Sequence, residues 1–539
     1  MTGLATLCRR LGCWIETHAA PTVLIIIAVG GALRADVAAS TYFQADEAWH
    51  ALAANQKTLK QAYTHSTHLA HPPLFILALH FWVYLGHTEF VLRLLPVLAG
   101  TASLWFAYLW LAEWMGRAPA VLGVSLLSFS PTLIALTAEL RQYSFLLLFQ
   151  FAALYYLERL VKEKTARLAF GYALALALAL LSHYSAVWLA LSAGGYVLWQ
   201  IVRGRIPRRV VYAWLGSQSA VALMALLLFV THITKLERDS FEYLQHAFYQ
   251  PATESLAHFL VRGTVGTFAY LFGSIWVGAF MLGLYSLGVC FIFSGHYGAG
   301  RSGVAILCVL PFVLAGLAGI LGVYPFGGGP GRQVAFLYPF ALAPALLAAT
   351  ILAQRLPILL PTGIIGVAMT WSMIGYDQFA ILHSPPHRPE VMGAAIRYIE
   401  ESTPSDAVLF CDNHSYFILR YYLGAAGSAS RSGANKDYRE CRCGRRRLVT
   451  RRKLWELDSQ WDKRLQALAR DYDLKPGSSI WIVCIGWIDS NPYSALRQNL
   501  PDAARAGQQE FSENLFLFRV EVPRSKQRAG QAAHVRSRW

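Results

Sequence analysis

Charge is what this sequence has least of. Of 539 residues only 14% are Asp, Glu, Lys or Arg, while 55% are hydrophobic; a soluble globular domain usually carries roughly 25% charged residues. The shortage excludes an ordinary water-soluble fold for most of the chain, because the runs Thr22–Gly31, Ala173–Leu181 and Val221–Val230 hold no charge at all. Cysteine is sparse too. The eight residues show no zinc-ribbon spacing, which excludes a structural zinc module of that kind. Cys8 and Cys13 precede the first apolar run, Cys290 and Cys308 lie in apolar segments, and Cys411, Cys441, Cys443 and Cys484 fall in the C-terminal region. There, either a disulfide or burial in strands is open. The net charge of +16 does not make a nucleic-acid binder of so apolar a chain. Its arginines collect in short connections between apolar stretches, where an excess of Lys and Arg marks the inner side of a membrane.

A hydrocarbon core about 30 Å thick takes roughly 20 helical residues to cross. Segments of that length, sided by loop charge, give about eleven spans. They are Ala20–Ala38, Val91–Met115, Pro119–Leu136, the helix leading to Arg159, Leu168–Leu181, Ser185–Val202, Val210–Val230, Phe268–Phe293, Val304–Val323, Val334–Ala353 and Ile358–Tyr376. The clusters Arg159/Lys162/Lys164/Arg167 and Arg203/Arg205/Arg208/Arg209 then share the inner side. The long loop 40–90 faces outward with Glu139–Arg141, His183–Tyr184 and Tyr324–Gln333. Arg9 and Arg10 before a short apolar stretch have the outline of a cleaved signal, but the many spans that follow make an uncleaved first helix the simpler reading. Leu74–Leu85 covers only about 18 Å as a helix. It reads as a juxtamembrane or re-entrant helix started by Pro72 and Pro73, with a short second span as the alternative.

The expected architecture is a polytopic α-helical module, residues 1–376, in the inner (plasma) membrane, with the tail on the periplasmic or extracytoplasmic side. Residues 377–522 read as a soluble α/β domain. Pro389–Glu401 and Trp461–Tyr472 have helical spacing, Ala407–Cys411, Ser479–Ile485 and Phe516–Val522 are strand-like, and Gly424–Arg447 is expected to be loop. Asn413-His414-Ser415 fits a glycosylation acceptor, a pattern common by chance. The basic stretch 523–539 is expected to be disordered.

The chemistry-bearing residues gather on the outer side. Asp46 and Glu47 follow the first span in Ala45-Asp46-Glu47-Ala48-Trp49-His50, where a helix would put Asp46 and His50 on one face. Simple capping of the first turn is the alternative. His65, His68 and His71 recur every three residues, a weak metal pattern broken by the proline after His71. Glu139-Leu140-Arg141-Gln142-Tyr143 sits at a span end on the same side, with Arg93 at the same level, and charges at that depth are costly unless paired or functional. The glycine-rich loop Gly327–Arg332 offers an arginine to a phosphate, or is a plain turn.

Taken in order, these segments resemble the GT-C class of membrane glycosyltransferases, and within it the dolichyl-phosphate-mannose protein mannosyltransferase and aminoarabinose transferase group. The likeness rests on Asp46-Glu47 after the first span, His71-Pro72-Pro73-Leu74, Glu89–Pro96 and Ala138–Tyr143, with His183-Tyr184 and the Arg332 loop less specific. It implies a sugar donor on a polyprenyl phosphate, Asp46 as general base, and Glu47 as a residue that helps to hold acceptor or metal. In part of the group the residue before Pro-Pro is lysine preceded by glutamate; this chain has Ala70-His71.

That chemistry suits the chain. A base at Asp46 would take the acceptor proton as its oxygen attacks the anomeric carbon, with inversion expected of a single displacement. Arg93, Arg141 and Arg332 are the cations available for the leaving phosphate, and a divalent ion, with Glu47 and Glu139 as candidate ligands, would serve the same end. His50, His71, Glu139, Tyr143 and His183 complete the expected substrate-binding set. The acceptor is a lipid, a protein or a glycan. A transporter or flippase of a lipid-linked sugar is the main alternative, against which stands the lack of paired halves with broken helices. A non-catalytic protein of envelope-polysaccharide assembly is the third reading.

Overall fold

The structure, a computed structural model, describes residues 14–69, 71–235, 247–294, 303–327, 331–355, 387–424, 430–431, 438–451, 469–475, 478–486, 508–512 and 515–521. The chain divides into two compact units. One comprises residues 1–39 and 50–380, the other residues 40–49 and 381–539. The division falls inside the helix Ala45–Ala54, so the short stretch carrying Asp46 and Glu47 is grouped with the C-terminal unit.

The first unit is helical, and the protein is a multi-pass membrane protein. Among the described residues, seven helices are long and apolar enough to cross a bilayer: Ala19–Ser40, Glu89–Met115, Tyr143–Glu163, Arg208–Lys235, Ile275–Phe293, Gly303–Ile320 and Arg332–Gln354. An eighth is a broken one, Arg117–Phe129 followed by Pro131–Ala138 at a bend of 60°. By this measure the expected eleven falls to seven or eight. Arg167–Ser182 and Ala186–Val202, read as spans, are helices of 16 and 17 residues, about 25 Å each at 1.5 Å per residue. The expected span Ile358–Tyr376 lies outside the described residues.

Two spans differ from the reading in kind. Pro119–Leu136 is interrupted where Ser130 turns extended and its Oγ accepts from Leu133 N, capping a new helix that begins at Pro131. Phe268–Phe293 is two helices. Leu256–Leu271 ends before Gly273, whose φ of +81° only glycine adopts cheaply, and Ser274 caps Ile275–Phe293. The helices pack closely where glycines meet backbone: a Cβ on Gly288 would lie 1.9 Å from the Pro344 carbonyl oxygen. Leu74–Trp82 with a 3-10 turn to Leu85 is a short apolar helix, as its length implied.

The second unit holds a seven-stranded mixed sheet. Its strands are β1 Val408–Cys411, β2 Ser430–Arg431, β3 Tyr438–Cys443, β4 Arg446–Arg451, β5 Ser479–Ile485, β6 Gln508–Ser512 and β7 Leu515–Glu521. They lie in the order β2-β3-β4-β1-β5-β7-β6. The central β1 runs parallel to β4 and β5, and the outer pairs are antiparallel. The expected loop Gly424–Arg447 is corrected: it contains the short strand Ser430–Arg431, and its second half is strand as well. Tyr438–Cys443 and Arg446–Arg451 form a hairpin closed at Gly444, φ +64°, since alternation of cysteine with charge in Arg439–Cys443 is itself a strand pattern. Pro389–Ser402 is helical as read. Most of Trp461–Tyr472, and the tail beyond Glu521, lie outside the described residues. Asn413 opens the helix Asn413–Tyr422, where Asp412 accepts from the backbone N and hydroxyl of buried Ser415. A buried, hydrogen-bonded helix start is a poor presentation for a glycosylation acceptor.

Candidate active site

In the membrane unit, residues distant in sequence converge on a line of rings. His50 Nε2 lies 3.2 Å from Gln142 Oε1. The His50 imidazole stacks on His71, centroids 5.9 Å apart, and meets Phe75 edge-on. His71 faces His183 at 5.8 Å, and His183 faces Tyr143 at 5.3 Å. The Arg141 guanidinium sits over the Tyr143 ring, 5.4 Å from its centroid, a favourable placement for a cation on a π face.

The loop between Arg167–Ser182 and Ala186–Val202 fixes His183. Its Nδ1 accepts from Ser185 N and lies 2.7 Å from Ser185 Oγ, which leaves Nε2 to carry the proton. Burial, with the Arg141 charge nearby, pushes the His183 imidazole down to about 3. It is a neutral ring. Tyr270 marks the other side of the cluster: its phenol lies within reach of the charges of Glu139, Arg332 and Arg141, beside Tyr143. Gly331 allows this. With φ +62° it lays the chain against the Tyr270 ring, where a Cβ would come within 2.4 Å of Cδ2, and Arg332 follows at the head of a 3-10 turn. Arg93, nine-tenths buried or more, donates from Nη1 to the Ala38 carbonyl at the end of the first span.

In the C-terminal unit, the segment Ser40–Trp49 is seated on the helix Asn413–Tyr422. Trp49 stacks on Phe417 at 4.5 Å and 14°, Phe43 meets Tyr421 at 5.1 Å, and Phe43 N donates to the Tyr422 hydroxyl. Glu47 Oε2 accepts from Gln44 N at 3.1 Å, closing the first turn in the manner of a capping box. His414 lies in the field of Asp46, which opposes the effect of burial; burial dominates and brings that imidazole down to about 4.

Residues 70–234 match the family model described as dolichyl-phosphate-mannose-protein mannosyltransferase. The whole chain is similar in fold to the crystal structure of ArnT from Cupriavidus metallidurans bound to undecaprenyl phosphate. That likeness has a TM-score of 0.54 at 13% identity over 92% of this chain and 97% of the other. The apo structure of the same ArnT matches with TM-score 0.54 and 13% identity, over 93% and 98%. The chain thus has an ArnT-like fold, and its residues 70–234 carry the pattern of the mannosyltransferase family. No curated protein matches its sequence.

Of the residues read from the sequence, the structure brings His50, His71, Tyr143, Arg141 and His183 into one chain of contacts, with Glu139 and Arg332 around Tyr270. The three-residue histidine recurrence does not survive as a trio. His65 and His68 face each other at 6.0 Å, whereas His71 belongs to the His50–His183 line. Among the described residues no group of three or more His, Cys, Asp or Glu side chains is placed to hold a metal ion. Of the two candidate ligands, Glu47 lies in a helix cap and Glu139 near Tyr270. Gln142, Ser185, Phe75 and Tyr270 were missed. Gln142 lay inside a segment already singled out, but nothing in the sequence pointed to Tyr270.

Proposed function

We propose that this protein is a GT-C glycosyltransferase that moves a sugar from a polyprenyl-phosphate donor to a hydroxyl or amine of a lipid, protein or glycan on the outer face of the membrane. The observation that carries the reading is the cluster of Arg141, Arg332, Tyr143 and neutral His183 within a fold like that of a protein crystallised with undecaprenyl phosphate. Such a cluster is suited to a phosphate leaving group: the guanidiniums supply fixed positive charge in a largely dry setting, and neutral imidazoles donate hydrogen bonds without competing for that charge.

Asp46 takes the role of general base, removing the acceptor proton as the acceptor attacks the anomeric carbon with inversion. Glu47 stiffens the turn that carries it. Arg93 joins Arg141 and Arg332 in countering the charge of the departing phosphate, and a divalent ion, if required, would add to them. Residues 1–376 form the catalytic membrane module, while the α/β domain 377–522 selects the acceptor. The test is Asp46→Asn in purified full-length protein supplied with polyprenyl-phosphate sugars. Loss of transfer at normal expression and membrane insertion is expected; transfer at the wild-type rate would remove Asp46 from the mechanism.

A further inference from the structure

The first span contains an arginine that the reaction as described leaves without a part. Arg34 lies about 9 Å along the helix from Ser40 and is only 1% exposed. An ionised group at such depth is retained at a cost. Apart from one hydrogen bond to its own helix, its side chain is turned to one feature, the break in the span Arg117–Ala138. Nη2 donates to the Leu127 carbonyl at 3.3 Å, and Nη1 donates to those of Ser128 at 3.0 Å and of Gly30 at 2.8 Å. Nε donates to Thr137 Oγ1 at 2.9 Å.

The choice of acceptors follows from the sequence. In a continuous helix the Leu127 carbonyl would take its hydrogen bond from residue 131, but residue 131 is proline and has no N–H. The Ser128 carbonyl would take one from residue 132, which the extended Ser130 has carried into the first turn of the next helix. Arg34 replaces both missing donors. Through Thr137, whose own hydroxyl proton goes to the Leu133 carbonyl, it also grips the helix beyond the break. Two glycines permit the approach: a Cβ on Gly30 would lie 2.9 Å from Ser128 Oγ, and one on Gly100 would lie 2.6 Å from Thr137 Cβ. Only a planar fork of several donors reaches acceptors on both sides of the bend; a lysine ammonium, a single point, does not.

What the bend presents is the site. Pro131–Ala138 runs directly into Glu139, whose extended backbone leads through an Arg141 N to Glu139 O contact of 2.7 Å to the guanidinium over Tyr143. The same short helix is tied at its other end to Tyr270, through Thr132 Oγ1 donating to the Tyr270 carbonyl.

We infer that Arg34 is a positioning residue, holding the Ser130–Pro131 break so that Glu139 and Arg141 are presented at a fixed angle to Tyr143 and Tyr270. The inference rests on the reading of that cluster as the phosphate site, and its test includes a readout independent of it. Full-length wild type, Arg34→Met, Arg34→Lys and Thr137→Val are purified in detergent. Amide hydrogen exchange is followed over residues 139–142, with undecaprenyl phosphate as the binding probe and thermal melting as the check on folding.

Arg34→Met is expected to accelerate exchange at 139–142 by about tenfold or more and to weaken lipid-phosphate binding by a similar factor, the loss of charged hydrogen bonds being of that size. Arg34→Lys should recover part of both. Pro131→Ala, which returns an N–H to Leu127, should blunt the effect of Arg34→Met. If Arg34→Met fails to fold, Thr137→Val, which cuts only the tie to the distal helix, decides by the same exchange measurement. Exchange at 139–142 that is unchanged in a folded variant overturns the inference. Wild type that does not bind undecaprenyl phosphate, with exchange responding as described, overturns the phosphate reading and leaves the role of Arg34 standing.

Discussion

His50 Nε2 reaches Gln142 Oε1 at 3.2 Å across 92 residues of chain, and both side chains are buried. An amide oxygen only accepts, so the imidazole proton sits on Nε2. The bond ties the later half of the helix Ala45–Ala54 to the turn that carries Arg141 and Tyr143.

Gln142→Ala should therefore cost about 1 kcal/mol of stability. His50→Ala and the double variant complete a cycle whose coupling is expected to be about 1 kcal/mol, read from melting curves in detergent. Strict additivity would show that the two side chains do not interact.

Stability should fall with acidity in a defined window. The His183 imidazole titrates near 3 in the folded protein, against about 6.5 when unfolded. The unfolded chain binds the proton first, so this contribution is full above pH 6.5 and is lost progressively as pH falls toward 3, by at most about 1.4 kcal/mol per pH unit. His414, near 4, adds in the same direction over a narrower range. Melting temperatures between pH 4.5 and 7.5 should slope less steeply in His183→Gln and His414→Gln than in wild type.

Trp49 and Phe417, stacked at 4.5 Å, hold the segment that carries Asp46. Trp49→Ala and Phe417→Ala are each expected to cost about 2–4 kcal/mol and to speed amide exchange over residues 41–48. The double variant should be little worse than either single one. Exchange that stays slow after Trp49→Ala would show that other contacts suffice.

Gly288→Ala drives a methyl into the Pro344 carbonyl, while a Cβ on Gly283, on the same helix, meets nothing within 4 Å. The first should destabilise by about 1–3 kcal/mol or more. The second should be neutral or stabilise by up to about 1 kcal/mol, as alanine is the better helix former. Detergent melts of the two variants give the comparison.

The spans were legible because burial in lipid writes itself as length without charge, as in Thr22–Gly31. Their interruptions were written too, but in two residues each: Ser130-Pro131 and Gly273-Ser274 are turn and cap signals that an apolar window averages away. The strand pair Tyr438–Cys443 and Arg446–Arg451 was hidden by its many arginines, which leave Leu448-Val449-Thr450 as the one short apolar run in it. Asp46, Arg141 and His183 could be singled out because charge and imidazole at a membrane boundary are conspicuous. That His71 would turn to His50 and His183, rather than to His65 and His68, depends on contacts 21 and 112 residues apart (71 − 50 and 183 − 71), and no local pattern encodes it. Nothing in the sequence sets Arg34 apart from other arginines, because its part depends on the carbonyls that Leu127 and Ser128 offer from another span.

The seat of Asp46 also has a history in time. Trp49 leaves the ribosome 368 residues before Phe417 (417 − 49), which at about 5–20 residues per second is a wait of roughly 20–75 s. Through that interval the ring that pins the Ser40–Trp49 segment does not yet exist. A chain that stops short of Asn413 lacks the rings of Phe417 and Tyr421 on which Trp49 and Phe43 sit, so the seat of the Ser40–Trp49 segment is among the last parts of the fold to be completed.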